Sequence, residues 1–509
     1  MCGFTVFVNY SPSLVELIGS QKRGGDDTHI VRIDNLTFVF HRLAINGVGS
    51  GSQPFQDDNL VLVCNGEIYN HKQLYSDHSL PSPKTGSDCE VILSLYKKYG
   101  SLSFVNDLDG VFSFVLYDKN TKNLLYARDR YGVRPMYVHN HENRLILSST
   151  LLPIKMYQVP PSYAFIYDVS LTTLISKKNW HRKLKNRFDV KDALTMAVRK
   201  RMMSERPIGC LLSGGLDSSL ITSIVVKEHI RNGGKASDIR TFSIGMKGAP
   251  DLKYAKIVAD FLGTTHTQWE YEIDVFVKYI PDVIRDIESY DITTVRASVG
   301  NWLVARNIRD TTDIKVLFNG DGSDEVCSGY LYSMNAPSLA DLEQDQKDLL
   351  KNIHFFDVLR SDRSIASHGI EPRTPFLDKE FVSVYSTLDI SLRAPMKVPG
   401  SHQDQGYNMT KWYLRKQFDD GTYLPDEVLW RPKEAFSDGV SSTDRSWHTI
   451  LKEYYQSSLG TTEREMYRNI FESHYGPINE ENEIIPYYWM PKWSRTDDPS
   501  ARSLNVYQE

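Results

Sequence analysis

The strongest constraint on this chain is a change of hydrophobic rhythm near residue 190. Before it, LTFVFHRLAI, NLVLVCNGEI, GVFSFVLYDK, NLLYARDR and RLILSST are short runs rich in β-branched and aromatic residues, separated by Gly, Asn, Asp and Pro. One helical pattern, DCEVILSLYKKYG, interrupts them and closes on a glycine. Together they predict a layered α+β domain over 1–185 in which sheets form most of the core. After the change, PIGCLLSGGLDSSLITSIVV, IRTFSIGM and IKVLFNGDG are apolar strands, each ending in a glycine loop, with long helical patterns between them. This alternation predicts an α/β domain over 190–509 built on a parallel sheet, with a helical C-terminal part beyond about 340. The boundary is expected in the basic stretch SKKNWHRKLKNRFDV. Segments near 341–352 and 395–408 are expected as trimmed or mobile loops, and PYYWMPKWSRTDDPSARSL shows no regular pattern.

Composition excludes several classes. A chain of 509 residues is too long for one core. With 59 basic and 64 acidic residues, the formal charge of -5 gives no electrostatic reason to expect nucleic acid or a membrane surface as partner. No apolar run reaches bilayer length, and MCGFTVFVNYSPS lacks the basic start and long apolar stretch of a leader, so a cytoplasmic protein is expected. The cysteines, Cys2, Cys64, Cys89, Cys210 and Cys327, are odd in number and form no C-x-x-C pair. A disulfide framework or structural zinc site is therefore not expected. Four of them read as small buried hydrophobes; Cys2 does not.

A thiol at position two has a chemical use. Removal of Met1, favoured by a small following residue, leaves Cys2 with a free α-amine. That amine has a reference pKa of roughly 7.7–8.0 against about 8.5 for a free thiol, so it can take the thiol proton near neutral pH. Attack on a carbonyl also needs oxyanion donors and a grip on the substrate. CNGEIYN offers Asn65 and Gly66 with Glu67 beside them, HRLAI offers Arg42, and GSDCE offers Asp88. One cation and two acids suit the carboxylate and ammonium of an amino acid. The competing reading makes Cys2 a chance residue of a frayed end and Asn-Gly a hairpin turn.

MCG, HRLAI, NGEIYNH and TGSDCEVI resemble, in order and spacing, the glutaminase domain of N-terminal-nucleophile amidotransferases. The resemblance implies an N-terminal nucleophile fold in which Cys2 forms a thioester with glutamine and releases ammonia. It further implies that Arg42, Asp88 and Glu67 bind glutamine while Asn65 and Gly66 form the oxyanion hole. The chain departs from the family's usual R-G-P-D with RGGD (Arg23 to Asp26), and from R-L-S-I with RLAI.

In the second domain, LLSGGLDSSL runs an apolar strand into a glycine loop and a helix, offering N–H donors to an anion. It lacks the Gly-Lys-[Ser/Thr] ending of a Walker A loop. FNGDGSDE adds Asp321, Asp324 and Glu325 after another apolar strand, and an aspartate beside a phosphate calls for Mg²⁺ between them. SGGLDSS resembles the loop of ATP pyrophosphatases. With SYDITTVRAS, GDGSDEVCSGYLY, EPRTPFLDKEF, WRPKEAFSDGV and YYWMPKW…DPSAR, nearly the whole chain resembles glutamine-hydrolysing asparagine synthetase.

That resemblance implies adenylation of the aspartate side chain by ATP, then attack on β-aspartyl-AMP by ammonia carried through a sealed channel. Ser213, Gly214, Gly215, Asp217 and Ser218 would cradle pyrophosphate, with Leu211, Ile244, Asn319 and Gly320 around the nucleotide. Mg²⁺ would bridge to Asp217 and Asp324. Lys433 would neutralise phosphate charge, Thr293 and Arg296 would serve aspartate, and Asp321 would manage protons as ammonia attacks. The resemblance also suggests a homodimer through the N-terminal domains. The family usually carries G-E-G-S-D-E where this chain has GDGSDE, and serine where it has Asn319. A sister enzyme that closes a β-lactam ring lacks the cysteine, and a degenerate binding homologue would have lost its charged site residues; this chain keeps both.

Overall fold

The computed structural model describes residues 1–13, 17, 23–180, 188–395, 398–401, 409–433, 447–458, 460–478 and 489–493. The β-rich runs of the first part form two six-stranded antiparallel sheets. The first has the order Tyr157–Gln158, Tyr137–His141, Arg144–Ser148, Gly3–Val8, Leu36–Arg42, Asp27–Ile33. The second has Thr173–Asn179, Tyr163–Asp168, Asn123–Arg128, Gly110–Asp118, Leu60–Ile68, Phe55–Gln56.

Strand alternation explains the layering. Phe4, Val6, Val8, Phe38 and Phe40 of the first sheet pack against Val61, Val63, Val115 and Tyr117 of the second. The opposite face of the second sheet, with Leu62, Cys64, Phe112 and Phe114, is covered by Ile92 and Leu95 of the helix Val91–Tyr99. That helix stops at Gly100, whose φ of 59° is the left-handed cap a glycine favours. Phe7, Val39 and Ile146, on the outer face of the first sheet, share an apolar cluster with Ile280, Ile284 and Ile287 of the second part. The central strands of both sheets are thus covered on both faces, which is why they read as nearly continuous apolar runs, while the edge strands Asp27–Ile33 and Thr173–Asn179 stay largely exposed.

The second part carries a five-stranded parallel sheet in the order Thr265–Tyr271, Arg240–Met246, Ile208–Leu211, Val316–Phe318, Glu371–Arg373. The chain starts in the middle, builds outward on one side, then returns to build on the other. The gap between the loops after Ile208–Leu211 and Val316–Phe318 is therefore a topological switch point, where such sheets bind ligands. Gly245 lies inside its strand and does not end it. No described helix is long and apolar enough to cross a membrane.

The expected boundary stretch begins inside the strand Thr173–Asn179, and Trp180, within the expected first domain of 1–185, is buried with its ring stacked on Phe112 at 5.9 Å. The first domain therefore holds these residues; 181–187 lie outside the described residues. Residues 341–352 are not a loop but part of the helix Leu339–Asn352, whose cap Ser338 accepts a hydrogen bond from the Asp341 N–H. The expectation for 395–408 falls mostly outside the described residues, as does most of the C-terminal tail.

Buried ions join the halves. Arg23 and Arg134 of the first domain both pair with Asp362, at 2.7 and 2.9 Å. Lys200 pairs with Asp109 across the boundary at 2.6 Å, and the Glu205 carboxylate accepts from the Gly47 and Val48 N–H groups at 2.8 and 3.0 Å. Burial pushes the Asp362 carboxyl up, but Arg23 and Arg134 outweigh it and hold it below the usual carboxylate range. A carboxyl depressed by folding contributes its stability fully above the unfolded value of about 3.9 and loses it as pH falls through the lower folded value. Asp362→Ala leaves two buried guanidinium groups uncompensated. We expect it to destabilise the chain by about 3–5 kcal/mol at neutral pH in denaturant titration, with the deficit shrinking only in strong acid.

Candidate active sites

The first site grows from the edge of the first sheet. Gly3 pairs with His41, which sets Cys2 against the segment that follows Arg42. The Cys2 sulfur accepts from the Leu43 N–H at 3.4 Å and lies 3.6 Å from the Leu43 carbonyl. Cys2 is half-buried, while the other four cysteines are buried, as their apolar settings predict. With Met1 in place, burial drives the thiol up to about 11, opposed by the adjacent α-amine; burial lowers that amine to about 5.

The RGGD turn wraps this end of the chain. Gly24 donates to the Met1 carbonyl at 2.6 Å, and Arg23 Nε donates to the Cys2 carbonyl at 3.1 Å. Gly24 has φ +87°, and a Cβ there would lie 2.7 Å from the His41 carbonyl carbon. Gly25, at the position where the family usually has proline, has φ +125°, which a proline ring forbids. Asp26 accepts from the Ala44 N–H at 2.7 Å. It grips main chain, so the change from serine to Ala44 leaves that contact in place.

Asn65 and Gly66 lie within the strand Leu60–Ile68, paired with Ser113 and Phe112, which rules out the hairpin-turn reading. Gly66 has φ +155°, and a Cβ would come within 2.1 Å of the Val111 carbonyl oxygen. The Asn65 side chain is fully buried, and among the described residues neither its oxygen nor its nitrogen has a hydrogen-bond partner. Glu67 accepts from Asn46 Nδ2 at 2.5 Å and lies 3.7 Å from the Arg373 guanidinium. Burial first, then Asp88 and Glu371, push its carboxyl well above the usual range. Asp88 accepts from the Ile68 N–H at 2.6 Å and is raised by burial. Arg42 donates to the Gly47 and Val48 carbonyls at 2.6 and 3.2 Å, holding from inside the loop that Glu205 holds from outside. Glu371 and Arg373, from the second domain, had no signal in the sequence that tied them to this pocket.

The second site is a cavity of about 260 Å³ at the switch point. Leu211, Ser213, Gly215, Asp217, Ser218, Ile244, Thr293, Arg296, Asn319, Gly320, Asp321, Asp324 and Lys433, singled out in the sequence, are brought together in its lining. The two glycine loops touch: a Cβ on Gly320 would lie 2.7 Å from the Ser218 nitrogen. Gly214 stands apart from this wall. Its φ is +75°, a Cβ would lie 2.4 Å from the Ala255 nitrogen, and its carbonyl accepts from Arg431 at 3.2 Å.

Two lysines meet the aspartates at one end of the cavity. Lys411 Nζ lies 2.7 Å from both Asp217 oxygens and 2.5 Å from Asp324, and Lys433 lies 2.7 Å from Asp324. Burial alone would raise the Asp324 carboxyl, but Lys411 and Lys433 hold it far below the usual range. Lys411 sits in MTKWYLRK, which carries no motif, so sequence reasoning missed it. It also missed Arg360, which donates to Asp321 at 2.7 Å, and Glu463, which takes Arg296 in a two-point pair at 2.9 and 2.5 Å. The Thr293 hydroxyl is buried with no hydrogen-bond partner among the described residues. The part of WRPKEAFSDGV beyond Lys433 lies outside the described residues.

Comparison with known proteins agrees with this two-site architecture. A glutamine amidotransferase domain model matches residues 1–184, and the asparagine synthase model matches 189–349 and 335–493. The glutamine-hydrolysing asparagine synthetase of Bos taurus is 37% identical over 571 aligned positions, covering 100% of this chain and 99% of that one. Those of Gallus gallus, over 572 positions, and Homo sapiens, over 571, are each 36% identical with the same coverage. The chain belongs to the glutamine-hydrolysing asparagine synthetases.

Proposed function

We propose that this chain makes asparagine from aspartate, ATP and glutamine, with residues 1–185 liberating ammonia and residues 190–509 consuming it. Once Met1 is removed, the Cys2 amine takes the thiol proton and the sulfur attacks the side-chain amide carbon of glutamine. Asn65 Nδ2 and the Gly66 N–H receive the oxyanion. The amide nitrogen leaves with a proton as ammonia, and water cleaves the thioester to glutamate. Arg42, Asp88 and Glu67 bind the amino-acid end of glutamine. The observation that carries this half is the unpartnered, fully buried Asn65 amide. Such a group costs about 1–3 kcal/mol when left unpaired, and a developing oxyanion is the partner it suits.

In the second half, the aspartate side chain attacks the α-phosphate of ATP and pyrophosphate leaves. Ser213, Gly214, Gly215, Asp217 and Ser218 cradle it, Gly214 by shaping the turn, while Leu211, Ile244, Asn319 and Gly320 surround the nucleotide. Thr293 and Arg296 bind aspartate, and the unpartnered Thr293 hydroxyl supports that assignment. Lys433, joined by Lys411, balances the phosphate charge. Asp321 accepts a proton as ammonia attacks the adenylate, giving asparagine and AMP.

The donor set at the phosphate end suits Mg²⁺, which takes one or two carboxylates and completes its shell with phosphate oxygens. Asp217 and Asp324 would hold it; among the described residues no group of three or more His, Cys, Asp or Glu side chains converges on a metal site. Bound there, the ion would supply neutralisation of the pyrophosphate charge. A homodimer in the cytoplasm completes the proposal.

Product analysis with amide-labelled glutamine, aspartate and Mg-ATP tests the division of labour. Cys2→Ala should abolish label transfer while asparagine formation from added ammonia survives. Active material in which mass spectrometry finds Met1 retained would overturn the role of Cys2. Lys411→Met should lower ammonia-driven asparagine formation by roughly a hundredfold or more, the scale of losing one preorganised charge, while glutamine hydrolysis continues.

A further inference from the structure

We infer that Asn319 is the positioning residue for the Asp321 carboxylate, and that the two form one unit in which neither can be exchanged alone. The inference rests on the reading of Asp321 as the proton acceptor at the adenylate. Both residues line the nucleotide cavity, and Asn319 is only 3% exposed. Asn319 Nδ2 donates to Asp321 Oδ2 at 2.6 Å and to Ser361 Oγ at 2.8 Å. Its own Oδ1 accepts from the Asp321 N–H at 3.4 Å, so the amide grips both the main chain and the side chain of Asp321. The other carboxylate oxygen accepts from Arg360 at 2.7 Å.

The support behind this grip is rigid. Ser361, Arg360 and Asp357 lie on one helix, Asp357–Ala366, and Asp357 accepts from the Gly322 N–H at 2.8 Å. The Asn319 N–H donates to the Arg373 carbonyl at 3.1 Å, fixing the start of the loop. With both ends of the loop held, the place of the Asp321 carboxylate depends on side-chain length at two positions. A serine hydroxyl at 319 stops one bond nearer the backbone than the Asn319 nitrogen and gives up the Oδ2 contact. A glutamate at 321 carries its carboxylate one methylene past both the Asn319 and Arg360 donors. The two departures of this loop from the family pattern are the two ends of one hydrogen bond, so each restores what the other alone would lose.

The test is a double-mutant cycle on the full chain, read as kcat and KM for ammonia-driven asparagine formation, with thermal melting to verify folding. Asn319→Ser and Asp321→Glu should each lower kcat by roughly tenfold to a hundredfold, the scale of a misplacement of about 1 Å, with the loss in kcat exceeding any change in KM for ATP. The double variant should return to within about threefold of the parent. Ser361→Ala removes the other anchor of the Asn319 amide and should give a weaker kcat loss of the same kind, which serves if Asn319→Ser melts early. An unchanged kcat in both Asn319→Ser and Ser361→Ala, or a double variant as poor as the product of the singles, overturns the positioning role. Full activity in Asp321→Asn would instead overturn the reading of Asp321 on which it rests.

Discussion

A single buried guanidinium, that of Arg373, ties the two halves of the molecule together. It is paired with Glu371 at 2.8 Å, faces Glu67 of the glutaminase pocket at 3.7 Å, and donates to the Arg201 and Met203 carbonyls. Taking such a charge out of water costs several kcal/mol, so it persists only with its partners in place. The same residue belongs to the edge strand of the parallel sheet, pairs with Phe318, and accepts from the Asn319 N–H through its carbonyl. One short strand therefore has its main chain under the nucleotide loop and its side chain against the glutaminase pocket. The relative placement of the two sites follows from that strand, with the Asp362 ion pairs holding the interface around it.

The two pockets handle charge in opposite ways. Around Cys2, burial and neighbouring carboxyls favour neutral forms: the thiol, Glu67 and Asp88 are all raised. At the second site, Lys411 and Lys433 hold the Asp324 carboxyl in its charged form, and Lys411 also pairs with Asp217.

Backbone geometry explains which loop residues this chain was free to change. Gly24, Gly66 and Gly214 stand where a Cβ would collide with main chain, so glycine is required there. Ala44 is a departure that a main-chain contact absorbs, because the Asp26 carboxylate holds its backbone N–H. Asn319 and Asp321 are departures of another kind, tied to each other through side chains.

Much of this molecule was legible in its residues in order. Strand rhythm, glycine loops and the helix stop at Gly100 reflect contacts within a few positions, so the pattern along the chain predicts a layered first domain built mostly of sheet and a parallel sheet in the second. Some motif residues arrive at the two pockets on strands or the loops that follow them, as Asn65 and Gly66 do within Leu60–Ile68 and Ser213 to Ser218 after Ile208–Leu211. What the tertiary structure decided is everything made by partners far apart in the chain. Lys411 between Asp217 and Asp324, Glu463 on Arg296, Arg373 beside Glu67 and Arg360 on Asp321 are pairings over long separations, and no local preference encodes them. Trp180 is held to the first domain in the same way, by a ring stacked on Phe112, a contact that charge and composition along the chain do not express.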